Sequence, residues 1–388
     1  MKYDFDSVVD RAGTWSLKYD CAAKRGMPLD LLPMWVADMD FKTAPAVTDA
    51  LVAVARHGIF GYSDPDDSYF NAVQNWFKTR HNYEVRRDWL VKTPGVVYAL
   101  AMAVEAYTDK GDAVLIQPPV YYPFHEVVDS KKRRLITNPL KLEDGVYSID
   151  FEDFERKIAD NDVKMFILCS PHNPVGRVWA RDELEQLGDI CLKHGVIVVS
   201  DEIHADFTYN CKHTAFASIK PEFADIAVVC TAPSKTFNLA GLQLANIFVK
   251  NPGLRRKFRE AVYDSGYSQL NIMGMAACRA AYEHGADWVD QLTEYLAENI
   301  NFARQFLAER LPKIGFIDTK GTYLVWLDFR AYGEDEAVNK RVINGAKLWL
   351  DRGTMFGAEG AGFQRVNVAC PRSVLKKALE QLEKEFGR

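Results

Sequence analysis

Short apolar runs punctuate the middle of the chain: Ala113 to Ile116, Met165 to Cys169, Val196 to Val199, Ile226 to Cys230 and Leu244 to Val249. Each is too short for a helix and apolar at nearly every position, which is the pattern of a strand buried on both faces of a parallel sheet. Longer stretches with helical spacing separate several of them. In Arg181 to His194, for example, Leu184, Leu187, Ile190 and Cys191 share one face. The alternation of the two patterns predicts an α/β layered domain.

Four of the runs lead into turn chemistry rather than more core: QPPVYYPFH, SPHNPVG, SDEIHADF and TAPSKTFN. In a mostly parallel sheet these tails leave at the carboxyl edge, where open α/β sheets hold their ligands. The last tail carries Lys235, reached through Thr231, Ala232, Pro233 and Ser234. A lysine is costly to bury unless its charge is paired or its proton lost. Lys235 is therefore either an ordinary loop lysine or a desolvated amine able to join a carbonyl carbon as a Schiff base.

Beyond about residue 285 the pattern changes to a long helical segment, a strand in GTYLVWLDF, a second helical stretch, and a strand in RVNVACP. The last segment places Leu375, Leu379, Leu382 and Phe386 on one helical face. A smaller α+β domain is expected there. The predicted division is 1–48 for an N-terminal arm that belongs partly to the small domain, 49–285 for the large domain and 286–388 for the small one. No internal repeat or low-complexity linker interrupts it.

Composition narrows the function. At 388 residues the chain exceeds one typical core. A formal net charge of -5, relieved by no basic block longer than Lys131 to Arg134, argues against a nucleic-acid binder and leaves that patch as a solvated loop. Seven cysteines without a CxxC pair predict neither a disulfide framework nor a zinc site, and Cys169 and Cys230 read as buried small hydrophobes. No metal is expected. The mixed, charged start MKYDFDSVVDRAG has no signal-peptide core, and no apolar span suits a membrane, so the expected address is the cytoplasm.

Taken together and in order, TPGVVYAL, QPPVYYPF, SPHNPVG, SDEIHADF and TAPSKTFNLAGLQ resemble the fold-type I pyridoxal-phosphate enzymes of the aspartate aminotransferase superfamily. PMWVADMDF and GFQRVNVACPR are similar to the cystathionine β-lyase, or cysteine-S-conjugate β-lyase, branch. The resemblance implies a mostly parallel seven-stranded sheet in the large domain, a smaller α+β domain, and pyridoxal 5′-phosphate as cofactor. It also implies an amino-acid substrate and a homodimer with shared active sites.

By the same resemblance, Lys235 holds the cofactor and later removes the substrate's α-proton, while Asp201 faces the pyridine nitrogen, where a protonated ring is the better electron sink. Asn173 bonds the cofactor's phenolic oxygen, and His204 stands near it where many aminotransferases carry a tyrosine. Tyr121 stacks on the ring. Tyr122 contacts substrate or leaving group, or is a half-buried core residue. Gly95, Val96 and Val97 open the helical run VVYALAMAVEAY, whose first N–H groups suit a phosphate.

Thr231 and Ser234 are nearby hydroxyls and are counted, by the same resemblance, among the cofactor-binding residues. Classical aminotransferases place a serine three residues before the lysine and an arginine eight after it, where this chain has Ala232 and Gln243. The partner subunit's Tyr62 is then expected to complete the phosphate site. Arg365 clamps the substrate α-carboxylate through its guanidinium fork, and Ala37 supplies backbone contacts.

The implied reaction is α,β-elimination of L-cystathionine or another cysteine S-conjugate to a thiol, pyruvate and ammonia. The same residues serve an aminotransferase, the alternative reading. The WVADMDF and ACPR segments, His204 and Gln243 favour elimination. A regulatory role, through contact with a transcription factor, would not require Lys235, Asp201 and Arg365, all of which are present.

Overall fold

A computed structural model describes residues 2–387, and in it the apolar runs become neighbours in one sheet. Its strands are β1 (Leu90–Thr93), β2 (Ala113–Ile116), β3 (Arg134–Thr137), β4 (Val163–Cys169), β5 (Ile197–Asp201), β6 (Ala227–Thr231) and β7 (Ala245–Phe248). They lie in the order β1-β7-β6-β5-β4-β2-β3. The pairs among β3, β2, β4, β5 and β6 are parallel, and β7 alone runs antiparallel to both its neighbours. This is the mostly parallel seven-stranded sheet expected of the chain.

Alternate residues of each strand face different layers, and both layers are apolar. Val114, Ile116, Ile167, Val199, Val228 and Ile247 pack with the helix Val96–Tyr107, whereas Leu115, Phe166, Leu168, Val198 and Val229 join the larger core on the other side. Two-sided burial explains why the runs are continuous rather than alternating. Each fully buried Val, Leu or Ile contributes about 1.5–3 kcal/mol.

Two strands of this sheet carry no clear signal. β1 is half-buried, and β3 is an edge strand with an exposed first residue and partly buried followers. The solvated loop expected at Lys131 to Arg134 is corrected accordingly. Arg133 is buried, its Nε donating to Thr108 Oγ1 at 2.9 Å and its Nη2 to the Thr108 carbonyl, while Arg134 begins β3. The residue after the helix Val96–Tyr107 offers acceptors at a negative helix end, which suits a guanidinium.

A second, antiparallel sheet is built from β8 (Gly315–Phe316), β9 (Leu324–Asp328), β10 (Asp351–Arg352) and β11 (Phe363–Asn367), in the order β8-β9-β11-β10. The long helix Ala286–Arg310 packs on the last helix, Arg372–Phe386, whose Leu375, Leu379, Leu382 and Phe386 are buried as their spacing predicts. A buried polar residue, Asn299, is satisfied by the carbonyls of Val368 and Cys370, both at 2.9 Å.

The N-terminal segment is tied to the C-terminal part of the chain. Leu32–Pro33 pairs in parallel with Leu348–Trp349, and Asn367 N–H donates to the Met34 carbonyl at 2.9 Å. Arg11 bridges Asp38 and Asp40 at 2.6 and 2.7 Å, and buried Lys18 takes the other Asp40 oxygen at 2.8 Å. Those pairs fix the stretch that includes Ala37. Among the described residues no helix is long and apolar enough to cross a membrane.

Candidate active site

Lys235 follows β6 on a single helical turn, Pro233–Thr236, with Pro233 at its start. The turn is anchored from behind: Thr236 Oγ1 donates to Asp206 Oδ2 at 2.7 Å. Asp206 also meets His81 Nε2 at 3.1 Å and Arg80 Nε at 3.3 Å. Burial works to raise the Asp206 carboxyl, but His81, Arg80 and Thr236 hold it down at about 2.

On the front side, the Lys235 amine donates to the Ala37 carbonyl at 2.7 Å. Burial, helped by Arg365, lowers its pKa to about 8 against the opposing pull of Asp38 and Asp201. The neutral amine thus becomes accessible near physiological pH, which an exposed lysine does not offer.

A cavity of about 420 Å³ opens beside this amine. Of the residues expected from the sequence, Ala37, Gly95, Val96, Val97, Tyr121, Asn173, Asp201, His204, Ser234 and Lys235 line it. Asp201 ends β5 and accepts the Ile203 N–H at 3.2 Å; burial pushes its carboxyl up to about 7, against Lys235. His204 is buried, with its Nδ1 unpartnered among the described residues and its ring 5.8 Å from that of Tyr323. Burial holds its pKa well below the usual value, with Lys235 and Arg365 adding to the effect. Tyr121 is fixed by a bond from its N–H to the Asn173 carbonyl at 3.0 Å.

Gly95 precedes the helix Val96–Tyr107 without any side-chain cap. The first N–H groups of a helix have no intrahelical partner, and the dipole adds positive potential there.

Other expected residues stand apart from the cavity wall. Thr231 is buried in the sheet and its hydroxyl is spent on the Asn246 carbonyl at 2.6 Å, so the expectation of a cofactor contact from it is corrected. Tyr122 is half-buried, its ring 5.2 Å from Tyr121 and 5.9 Å from Phe356.

Arg365 lies one layer behind Asn173, to whose Oδ1 it donates from Nη1 at 3.0 Å, and it also reaches the Trp35 carbonyl at 2.8 Å. Since Arg365 occupies Oδ1, the Asn173 Nδ2 remains as donor for a ligand oxygen. Tyr62 is 99% exposed, beside exposed Ile59 and Phe60, and contributes nothing to its own chain's cavity.

Some lining residues had no role assigned from the sequence. Tyr98, Cys169, Ile203, Gln243 and Leu244 are among them, with Pro94 and Ala240. Cys169 Sγ accepts the Asn173 N–H at 3.3 Å and so helps shape the SPHNPVG turn. Asn238, outside the wall, exchanges two bonds of 2.9 Å with the Met39 backbone and thereby holds the arm that carries Ala37. Its only sequence signal is its place in TAPSKTFN; the positive φ of 58° that aims it is a product of the fold.

A sequence model of the aminotransferase class I and II family matches residues 30–382. The chain belongs to that family. The family's fold-type I architecture is the one described above. Cystathionine β-lyase PatB of Bacillus subtilis is 46% identical over 98% of this chain and 99% of its own length. Among solved structures, cystalysin of Treponema denticola, which contains a pyridoxal 5′-phosphate cofactor, superposes with a TM-score of 0.96 at 38% identity, covering 99% of both chains. The PLP-bound C–S lyase of Staphylococcus hominis gives a TM-score of 0.94 at 32% identity over 100% of this chain and 99% of that one.

The cavity fits the cofactor that those two solved structures hold. Uncapped helix N–H groups suit its phosphate, a buried carboxyl at Asp201 suits a ring nitrogen, and a lysine with a lowered pKa suits its aldehyde.

Proposed function

We propose that the protein is a pyridoxal-phosphate-dependent carbon–sulfur β-lyase that converts L-cystathionine, or a related cysteine S-conjugate, and water to a thiol, pyruvate and ammonia. The observation that carries the reading is the Lys235 amine, shifted toward its neutral form and facing a cavity whose wall also holds Asp201 and Asn173. The names of the relatives, His204 and Gln243 favour elimination over amino transfer.

When bound, pyridoxal 5′-phosphate supplies an electron sink for the substrate's α-carbon. In this assignment Asp201 would pair with the ring nitrogen, and the Asn173 amide would donate to the phenolic oxygen beside His204. Tyr121, on the cavity wall, would pack against the ring. Gly95, Val96, Val97 and Ser234 would hold the phosphate together with the partner subunit's Tyr62. Arg365 orients the α-carboxylate by charge-assisted bonds, with the Ala37 backbone and Tyr122 near the substrate. Lys235, as the free amine, takes the α-proton by general-base catalysis, and the β-carbon then releases its thiolate.

The shared site makes the working unit a homodimer, with the cytoplasm as its place. Within each chain the assignment divides 1–48, 49–285 and 286–388 into arm, large cofactor domain and small domain.

The test is incubation of the purified holoenzyme with L-cystathionine or S-methyl-L-cysteine, without keto acid, while pyruvate and thiol are followed together. Equal yields, abolished by Lys235→Ala, are the expected result. Transfer that depends on an added keto acid, with no pyruvate from the sulfur substrate, would assign an aminotransferase instead.

A further inference from the structure

Asp351 and Arg365 are directly opposite on the adjacent strands β10 and β11, and each is only 2% exposed. Asp351 Oδ2 accepts from Arg365 Nη2, which also donates to the Trp35 carbonyl at 2.8 Å, while Nη1 donates to Asn173 Oδ1 at 3.0 Å. A guanidinium has five N–H groups in a fixed plane. Nε is buried and has no partner among the described residues, so the arginine is held yet incompletely used. One face of the plane lies 4.9 Å from the Phe356 ring, and the Phe356 carbonyl is itself tied to the Val120 N–H at 2.9 Å.

We propose that Asp351 is a positioning residue for the substrate carboxylate: by holding Nη2 it fixes the rotation of the guanidinium and leaves the uncommitted N–H groups, Nε among them, for the incoming group. A carboxylate suits this task better than a neutral acceptor. It makes a charge-assisted bond, about twice as strong as a neutral one, and it balances a buried arginine before substrate arrives. The fork is then ordered in the resting enzyme, and binding does not have to freeze a long, flexible side chain. Trp35 and Asn173 hold other hydrogens of the same group, but neither carries charge. The inference rests on the assignment of Arg365 to the α-carboxylate.

The experiment compares steady-state elimination of S-methyl-L-cysteine by the holoenzyme and by Asp351→Ala, Asp351→Asn and Arg365→Lys, with cofactor absorbance and thermal midpoint recorded for each. Asp351→Ala is expected to raise KM about 10-fold or more while kcat changes less than about 3-fold, and Asp351→Asn, which keeps an acceptor oxygen but not the charge, to give a KM between those of the alanine variant and the parent. Should the alanine variant not fold, Asp351→Ser, whose oxygen is too short to reach, takes its place.

An unchanged KM in the disruptive variant overturns the proposal. So does a loss confined to thermal midpoint and cofactor retention, since that marks a merely structural pair. An Arg365→Lys variant with parental KM overturns the underlying assignment of Arg365, and is thereby told apart from a failure of Asp351 alone.

Discussion

Lys235 and Tyr323 donate to the same oxygen: the Ala37 carbonyl receives the lysine amine at 2.7 Å and the tyrosine hydroxyl at 2.9 Å. The three residues come from the large sheet's edge, the approach to β9 and the N-terminal arm, so one carbonyl joins three distant stretches of chain. Tyr323 is fully buried, and its ring also packs on Phe207 and His204. The carbonyl is thus held in place by Tyr323 whether or not Lys235 is engaged elsewhere.

Tyr323→Phe removes that hold and nothing else. The loss of one neutral hydrogen bond predicts a destabilisation of about 1 kcal/mol, together with a several-fold lower kcat as the acceptor for the lysine drifts. Thermal denaturation and steady-state assays of the variant check both.

Cofactor uptake should follow the protonation of Lys235. A free amine attacks an aldehyde only when neutral, and burial places this pKa at about 8 rather than at the ordinary 10.5. Uptake by cofactor-free protein is therefore expected to accelerate as pH rises toward 8 and to level off above it. Stopped-flow absorbance from pH 6 to pH 10 measures this; a rise that continues to pH 10 would mean the lysine keeps its ordinary basicity.

Asp201 predicts an opposite trend in stability. Its folded pKa, about 7, lies above the ordinary 3.8, so the folded state binds the proton more tightly than the unfolded one. The stability this provides is complete below about pH 4 and is lost as pH rises through 7, at about 1.4 kcal/mol for each pH unit between the two values. Asp201→Asn should therefore stabilise the cofactor-free protein at pH 8 but not at pH 4, while reducing lyase activity at least about 100-fold for want of a charged partner at the ring nitrogen. Denaturant titrations at the two pH values, with kcat alongside, decide it.

Asn238→Ala should loosen the arm. The side chain satisfies both the N–H and the carbonyl of Met39 and reaches the Phe41 carbonyl at 3.1 Å. Leaving buried backbone groups unpaired costs about 1–3 kcal/mol, and the Ala37 carbonyl moves with them. Faster proteolysis or hydrogen exchange in residues 34–41, coupled to a lower kcat, is the expected signature.

Much of the fold was legible along the chain because its strands are buried on both faces. The runs ending at Ile116, Cys169 and Cys230 announce themselves by unbroken apolarity, and the polar tails after them locate the cavity edge. Edge strand β3 had no such signal, since one side of it faces solvent and it begins at an arginine. Thr231 misled for a related reason: proximity to Lys235 in sequence says nothing of direction, and alternation in the strand turned its hydroxyl to Asn246.

The sequence by itself determined the layered class of fold, the segments that meet at the sheet's carboxyl edge, and the residue types able to hold a phosphate, a ring nitrogen and an aldehyde. Only the tertiary structure decided that Ala37 is the acceptor for Lys235, that Asp351 pairs with Arg365, and that Asn238 secures the arm. Strand burial leaves a periodic mark on neighbouring residues, and so can be read locally. A hydrogen bond between residues far apart in the chain depends on side-chain direction and on the packing of separate layers, and no local pattern records either.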